Sequence, residues 1–188
     1  PRMITVEGLE ESNTLTNQNI FELQDVPEKL LVIGGGPIGM ELAQAFAMLG
    51  SKVTIAERGA EFARLEDESI RPIIQTAFDK LGITIHTGAD IQKVTGNTAH
   101  FNHMHGAKVD DSFTVDFDKV LIAIGRVPNI PKGLEAAAIK SEPSGVTVDS
   151  QYRTTNKHVF ALGDVSQQLK FTHVADDVAR QVVTRVVS

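Results

Sequence analysis

Between Lys29 and Ile124 the apolar positions follow two rhythms, and the switches between them mark out the elements. Lys29–Ile33 is a continuous apolar run that ends in three glycines, the signature of a strand buried on both faces. From Ile38 to Leu49 the apolar residues Leu42, Ala43, Phe46 and Leu49 share one helical face, and Gly50 closes the helix. Lys52–Glu57 (KVTIAE) is a β-branched run, so the chain draws a strand, a helix and a second parallel strand in about thirty residues. A second helix is predicted over Asp67–Leu81, with Ile70, Ile73, Ile74, Ala77, Phe78 and Leu81 spaced at three and four; Gly82 follows it, then a third strand at Ile83–His86. Short alternating runs between Ile91 and Val115, broken at Gly96 and Asn97 and again at Gly106, predict an antiparallel meander. Lys119–Ile124 (KVLIAI) restores the buried-strand pattern.

The two ends read differently. Residues 1–27 form a polar, irregular lead-in with a short helix at Asn19–Leu23 and a stop at Pro27. Two prolines and a glycine punctuate residues 125–133, which predicts a crossing between domains. Beyond it, Val146–Asp149, Val159–Leu162 and a helical run at Val174–Val187 are too few to build a core by themselves. The expected fold is α/β: a Rossmann-like three-layer parallel sheet with an inserted antiparallel meander, flanked by partial segments of another domain.

Composition narrows the function. With 188 residues the chain holds one full core and an annexed segment. No apolar run is long enough to span a bilayer, and a net charge of -6 without a basic block argues against nucleic acid. There is no cysteine, so neither a disulfide nor a thiolate metal site can form within this chain. The chain opens Pro1-Arg2-Met3 rather than on Met, which predicts a boundary inside a longer protein; with no signal-peptide pattern the expected compartment is cytoplasmic.

Gly34-Gly35-Gly36-Pro37-Ile38-Gly39 fits G-x-G-x-x-G between a strand and a helix. Gly34 serves the tight turn, Gly36 the approach of a pyrophosphate to backbone, and Gly39 the close contact of helix and strand. The helix aims its first amides and the positive end of its dipole at the phosphates. Glu57 closes the next strand, 18 residues after Gly39, where a carboxylate accepts hydrogen bonds from the adenosine ribose. It would repel the 2'-phosphate of NADP, which favours NAD(H); Arg58 beside it is the side-chain type that pairs with that phosphate.

LLVIGGGPIGMELAQAFAMLGSKVTIAERG, KVLIAIGRVPN, HVFALGDV and FTHVA, in that order, resemble the pyridine nucleotide-disulfide oxidoreductases, among them dihydrolipoamide dehydrogenase, glutathione reductase and mercuric reductase. The acidic Glu57 makes the likeness to dihydrolipoamide dehydrogenase the strongest. The resemblance implies an NAD(H)-binding domain at residues 19–128, with residues 1–18 and 129–188 as parts of an FAD domain. It also implies a role in cell redox homeostasis, and a homodimer through a further domain. Glu41 is then the glutamate near the nicotinamide, and Gly125 lies against the NAD site. Arg126, Pro128 and Asn129 mark the crossing. Gly163 and Asp164 meet the flavin chain and its ribitol, and Thr172, His173, Val174 and Ala175 start a helix whose amides face the FAD pyrimidine edge.

Three family features do not occur: a first glycine motif for FAD, a C-x-x-x-x-C disulfide and a histidine-glutamate pair. The chain alone is therefore expected to be an inactive piece that does not retain FAD. The rival reading is a non-catalytic NAD(H)-sensing or interaction module. His100, His103 and His105 cluster, and an i, i+2 pair on one face of a strand can bind a metal, but without a clear third and fourth ligand no metal site is expected; Ser112 beside Asp110 and Asp111 reads as an exposed turn.

Overall fold

The computed structural model describes residues 1–105, 108–166 and 170–187, and packing divides the chain into two units, Pro1–Gly125 and Arg126–Ser188. Along the first unit run β1 (Thr14–Leu15), β2 (Lys29–Ile33), α1 (Pro37–Met48), β3 (Lys52–Ala56), α2 (Arg71–Lys80), β4 (Thr84–His86), β5 (Ala89–Thr95), β6 (Thr98–His105), β7 (Lys108–Asp116) and β8 (Lys119–Ile122). Five strands make a parallel sheet in the order β1-β8-β2-β3-β4, and β5-β6-β7 form the antiparallel meander. The predicted break at Gly106 lies outside the described residues.

Period-two alternation builds two cores on the two faces of the parallel sheet. Leu30, Val32, Val53, Ile55 and Leu121 face Ala43 and Phe46 of α1 and Phe78 of α2. Their neighbours Leu31, Ile33, Ala56, Val120 and Ile122 face Val94, Ala99 and Phe101 from the meander and Phe117 just after it. The layers are thus helices, parallel sheet and meander, as the α/β reading predicts. Because β2 is covered on both sides, its side chains from Leu30 to Val32 are at most 1% exposed.

Four features differ from the sequence reading. The second helix begins at Arg71 rather than Asp67. The Asp67 carboxylate accepts from the Ser69 amide at 2.9 Å and from its hydroxyl at 2.6 Å, a turn that competes with the helix, and Pro72 fits only its first turn. Those bonds from Ser69, the hydroxyl's first, hold the Asp67 carboxyl below the usual aspartate range. Asn19–Leu23 contains only a 3-10 turn, Ile20–Glu22. The lead-in is less irregular than expected, since Thr14–Leu15 pairs in parallel with Val120 and Leu121 of β8. Ser112 lies within β7, opposite Asn102, instead of in a turn.

Residues 1–18, assigned above to a flanking domain, pack in this chain with the first unit. Ile4, Val6 and Leu9 lie against the meander-side core, the Glu7 carbonyl accepts from the Val94 amide at 2.7 Å, and the Arg2 amide donates to the Gly125 carbonyl at 2.8 Å.

The second unit carries a short hairpin, β9 (Ser141–Glu142) with β10 (Gly145–Val146), a 3-10 turn at Gly163–Val165, and α3 (Thr172–Val187). Val159–Leu162 contributes only a bridge between Phe160 and Arg153. Ile139, Val146, Val178 and Val182 are its buried apolar residues, while Val183 and Val186 on α3 remain exposed. Among the described residues no helix is long and apolar enough to cross a membrane.

Phe101 is 1% exposed between meander and sheet, whereas Phe21 is 78% exposed. Phe101→Ala is expected to cost about 3–5 kcal/mol and Phe21→Ala less than about 0.5 kcal/mol, read as shifts of the urea midpoint. His86 stacks on Phe113 with ring centroids 4.4 Å apart. Burial there, and secondarily the charge of His103, lowers the His86 pKa below the ordinary histidine value. Its contribution to stability is complete above the unfolded-state value of about 6.5 and declines as pH falls through it. The urea midpoint should therefore drop between pH 7.5 and 5.5, and drop less in His86→Gln.

Candidate functional site

β2, β3 and β8 run parallel, so their C-terminal ends share one edge, where a cleft of about 650 Å³ opens. That is the end at which open parallel sheets take ligands, and the volume suits a ligand of dinucleotide class. Gly34, Gly36, Pro37 and Ile38 line it from the first loop, Glu57 and Arg58 from the end of β3, and Ala123, Ile124 and Gly125 from the end of β8. Residues 2–6 and Ala89, Asp90 and Ile91 of β5 complete the wall.

The glycines of the loop have separate tasks. Gly34 adopts φ +106°, and a Cβ there would lie 2.6 Å from the Ala123 carbonyl oxygen, so fold geometry alone demands glycine. A Cβ on Gly39 would overlap the Gly34 carbonyl oxygen, so its absence lets α1 seat against β2. Gly36 is unlike both. Its φ of -78° and ψ of 179° suit any residue, and a Cβ there would meet nothing within 4 Å. The fold does not need glycine at this position, and the space left free belongs to the cleft. No side chain caps α1, Pro37 removes one donor of its first turn, and the amides of Ile38 and Gly39 have no intrahelical acceptor.

Glu57 spans the loop. Its Oε2 accepts from the Gly35 amide and its Oε1 from the Gly59 amide, both at 2.6 Å. These charge-assisted bonds fasten the end of β3 to the glycine turn. Arg58 points elsewhere: its Nε lies 3.1 Å from Asp90 Oδ1. The other carboxylate oxygen of Asp90 accepts from Gln92 Nε2 at 2.9 Å.

Asp90 was missed in the sequence because no motif marks it. Backbone pairing brings it in: the Gly88 amide donates to the Gly59 carbonyl at 2.8 Å and the Ala89 amide to the Glu57 carbonyl at 2.9 Å. A smaller adjoining cleft of about 90 Å³ is lined by Gly35 and Gly36 together with Glu61 and Arg64. Glu41 is exposed on α1 and lines neither cleft, and Gly39 is buried beneath the loop rather than facing the space.

In the second unit, Gly163 takes φ +77°, and a Cβ there would stand 3.6 Å from the Cβ of Ala175 in the first turn of α3. The Gly163-Asp164 turn and the α3 start, expected to serve one cofactor, are therefore neighbours. Asp164 Oδ2 accepts from Arg126 Nη1 at 3.0 Å, and the same nitrogen donates to the Lys170 carbonyl at 3.0 Å. Arg126, read from sequence only as a crossing residue, thus braces the expected flavin-side acid. Thr172 opens α3, the His173 ring stacks on Phe171 at 5.5 Å, and Val174 and Ala175 follow half-buried. Of the strand histidines, His103 Nδ1 meets Asp111 Oδ1 at 2.9 Å, and among the described residues no three metal-ligating side chains converge.

Comparison with known proteins agrees with this geometry. A family model for pyridine nucleotide-disulphide oxidoreductases matches residues 1–179. The mercuric reductase of Staphylococcus aureus is 33% identical over 180 residues, covering 93% of this chain and 32% of that protein. A dihydrolipoyl dehydrogenase of Bacillus subtilis is 34% identical over 164 residues, covering 86% of this chain and 35% of that protein. The HOCl-induced flavoprotein disulfide reductase RclA from Escherichia coli superposes with a TM-score of 0.86 at 29% identity, over 100% of this chain and 42% of that one. The chain thus spans about a third of the length of the curated relatives it matches. With four motifs in order, a parallel sheet that ends on a glycine turn, and a family match along nearly its whole length, the chain belongs to the pyridine nucleotide-disulphide oxidoreductases, which work with FAD and nicotinamide dinucleotides.

Proposed function

We propose that the first unit binds NAD(H) in the 650 Å³ cleft, as the nucleotide-binding region of an FAD-dependent oxidoreductase. Gly36 carries this reading: a glycine that neither backbone strain nor packing explains faces the cleft beside unpaired helix amides. A diphosphate lying over Gly36 would meet the first turn of α1, and Glu57 would offer its carboxylate to the ribose hydroxyls. That acid favours NADH over NADPH. Gly125 would flank the far end of the dinucleotide.

In the second unit, Asp164, Gly163 and the start of α3 suit part of an FAD site: an acceptor, a close-approach glycine and a helix amide terminus. When bound, the flavin would exchange hydride with the nicotinamide and pass electrons onward. This chain has no cysteine, so a redox disulfide would have to lie elsewhere in the whole protein, and the piece alone is inactive in this reading. Among the family's branches, Glu57 favours a dihydrolipoamide dehydrogenase-like role with Glu41 near the nicotinamide in the whole protein.

Calorimetric titration with NADH and NADPH tests the site. Gly36→Val should reduce NADH affinity by at least about tenfold while leaving the urea midpoint nearly unchanged, because the new side chain meets only cleft space. Equal NADH binding by both proteins would sink the proposal. Glu57→Gln turns an NH2 toward one of the two amides that now donate to the carboxylate. It should cost about 1–3 kcal/mol of stability in urea unfolding and narrow the preference for NADH.

A further inference from the structure

We propose that Asp90, an acid of the meander, sets the choice between the two nicotinamide dinucleotides by restraining the guanidinium of Arg58; the inference rests on the dinucleotide reading of the cleft given above. A Rossmann site distinguishes NADP from NAD at one place, the 2'-position of the adenosine ribose beside the end of the second strand of the βαβ unit. Here that strand is β3, and Arg58 follows Glu57 directly, so a cation stands where a 2'-phosphate would be read. By residue type Arg58 should welcome that phosphate. Its Nε is instead engaged with Asp90 Oδ1 at 3.1 Å, and both residues line the same cleft.

Asp90 is held from both sides. Arg58 takes one carboxylate oxygen, and Gln92 Nε2 donates to the other at 2.9 Å and to the Asp90 carbonyl at 3.1 Å. The Asp90 side chain is 31% exposed while that of Arg58 is 84% exposed, so the acid is the fixed partner and the arginine the movable one. Charge points the same way. With Asp90 ionised, the guanidinium already holds a carboxylate, and an incoming 2'-phosphate, carrying about two negative charges, must compete with it. Neutralising Asp90 frees the guanidinium to meet the phosphate. An ordinary ribose, carrying hydroxyls only, is indifferent to either change. Because Arg58 is solvated, the effect is screened and moderate.

The test is calorimetric titration of the full 188-residue chain with NADH and NADPH. Asp90→Asn is expected to raise the ratio of NADPH to NADH affinity by about three- to tenfold. In the double variant Arg58→Ala/Asp90→Asn the NADPH gain should vanish, since the freed guanidinium is what supplies it. Gln92→Ala, which only loosens the acid, should move NADPH in the same direction by less, and it carries the test if Asp90→Asn does not fold. NADH binding with NADPH unresponsive in both Asp90→Asn and Gln92→Ala overturns this inference alone. So does a gain that persists without Arg58. If the wild-type chain binds neither nucleotide, the dinucleotide reading fails and this inference falls with it.

Discussion

The carbonyl oxygen of Gly34 occupies the space that a side chain on Gly39 would need. That approach brings the first turn of α1 against the turn leaving β2, closer than any other residue type at position 39 would permit. From the other side the same turn presses on Ala123, at the end of β8. Two strands and a helix therefore converge on three or four backbone atoms. The direction of the loop, the open face of Gly36 and the exposure of the first helix amides all follow from that convergence.

The sheet beneath supplies the rigidity such a contact needs. β2 is shared by both cores, and its burial on two faces leaves the strand no freedom to shift without disturbing helices and meander together. A site mounted on this strand inherits its fixed position. The proposed selectivity is carried differently. Glu57 is fastened to backbone through both oxygens, whereas Arg58 reaches across solvent to an acid on another layer. The cleft thus combines an immobile floor with an adjustable rim.

Periodicity made most of this legible in advance. The strands at 29–33, 52–56 and 119–122, the helix after the glycines and the three-stranded meander all stand within a few residues of where the hydrophobic rhythm puts them. The glycine loop was readable because its chemistry is local. What escaped depends on distance or brevity. β1 has two residues, too few to display a period, and is a strand only because β8 lies beside it. Asp90 reaches the cleft through backbone pairing with residues 57–59, about thirty positions earlier, and Arg126 finds Asp164 across 38 positions. The early start predicted for α2 failed for the opposite reason: a purely local turn at Asp67 overrode a valid apolar pattern.

The lengths of the outermost strands bear on how the protein behaves among its own copies. A sheet edge with a long row of unpaired amides and carbonyls is a template for another chain. Here the parallel sheet ends in strands of two and three residues, β1 and β4, which offer a neighbour almost no row to extend. The outer side of β5 is partly taken by the Glu7 backbone, and β7 places Asp111 and Asp116 on its length. The outer strands of the parallel sheet are thus built against edge-to-edge stacking, and the two acids on β7 work in the same sense at the meander's edge.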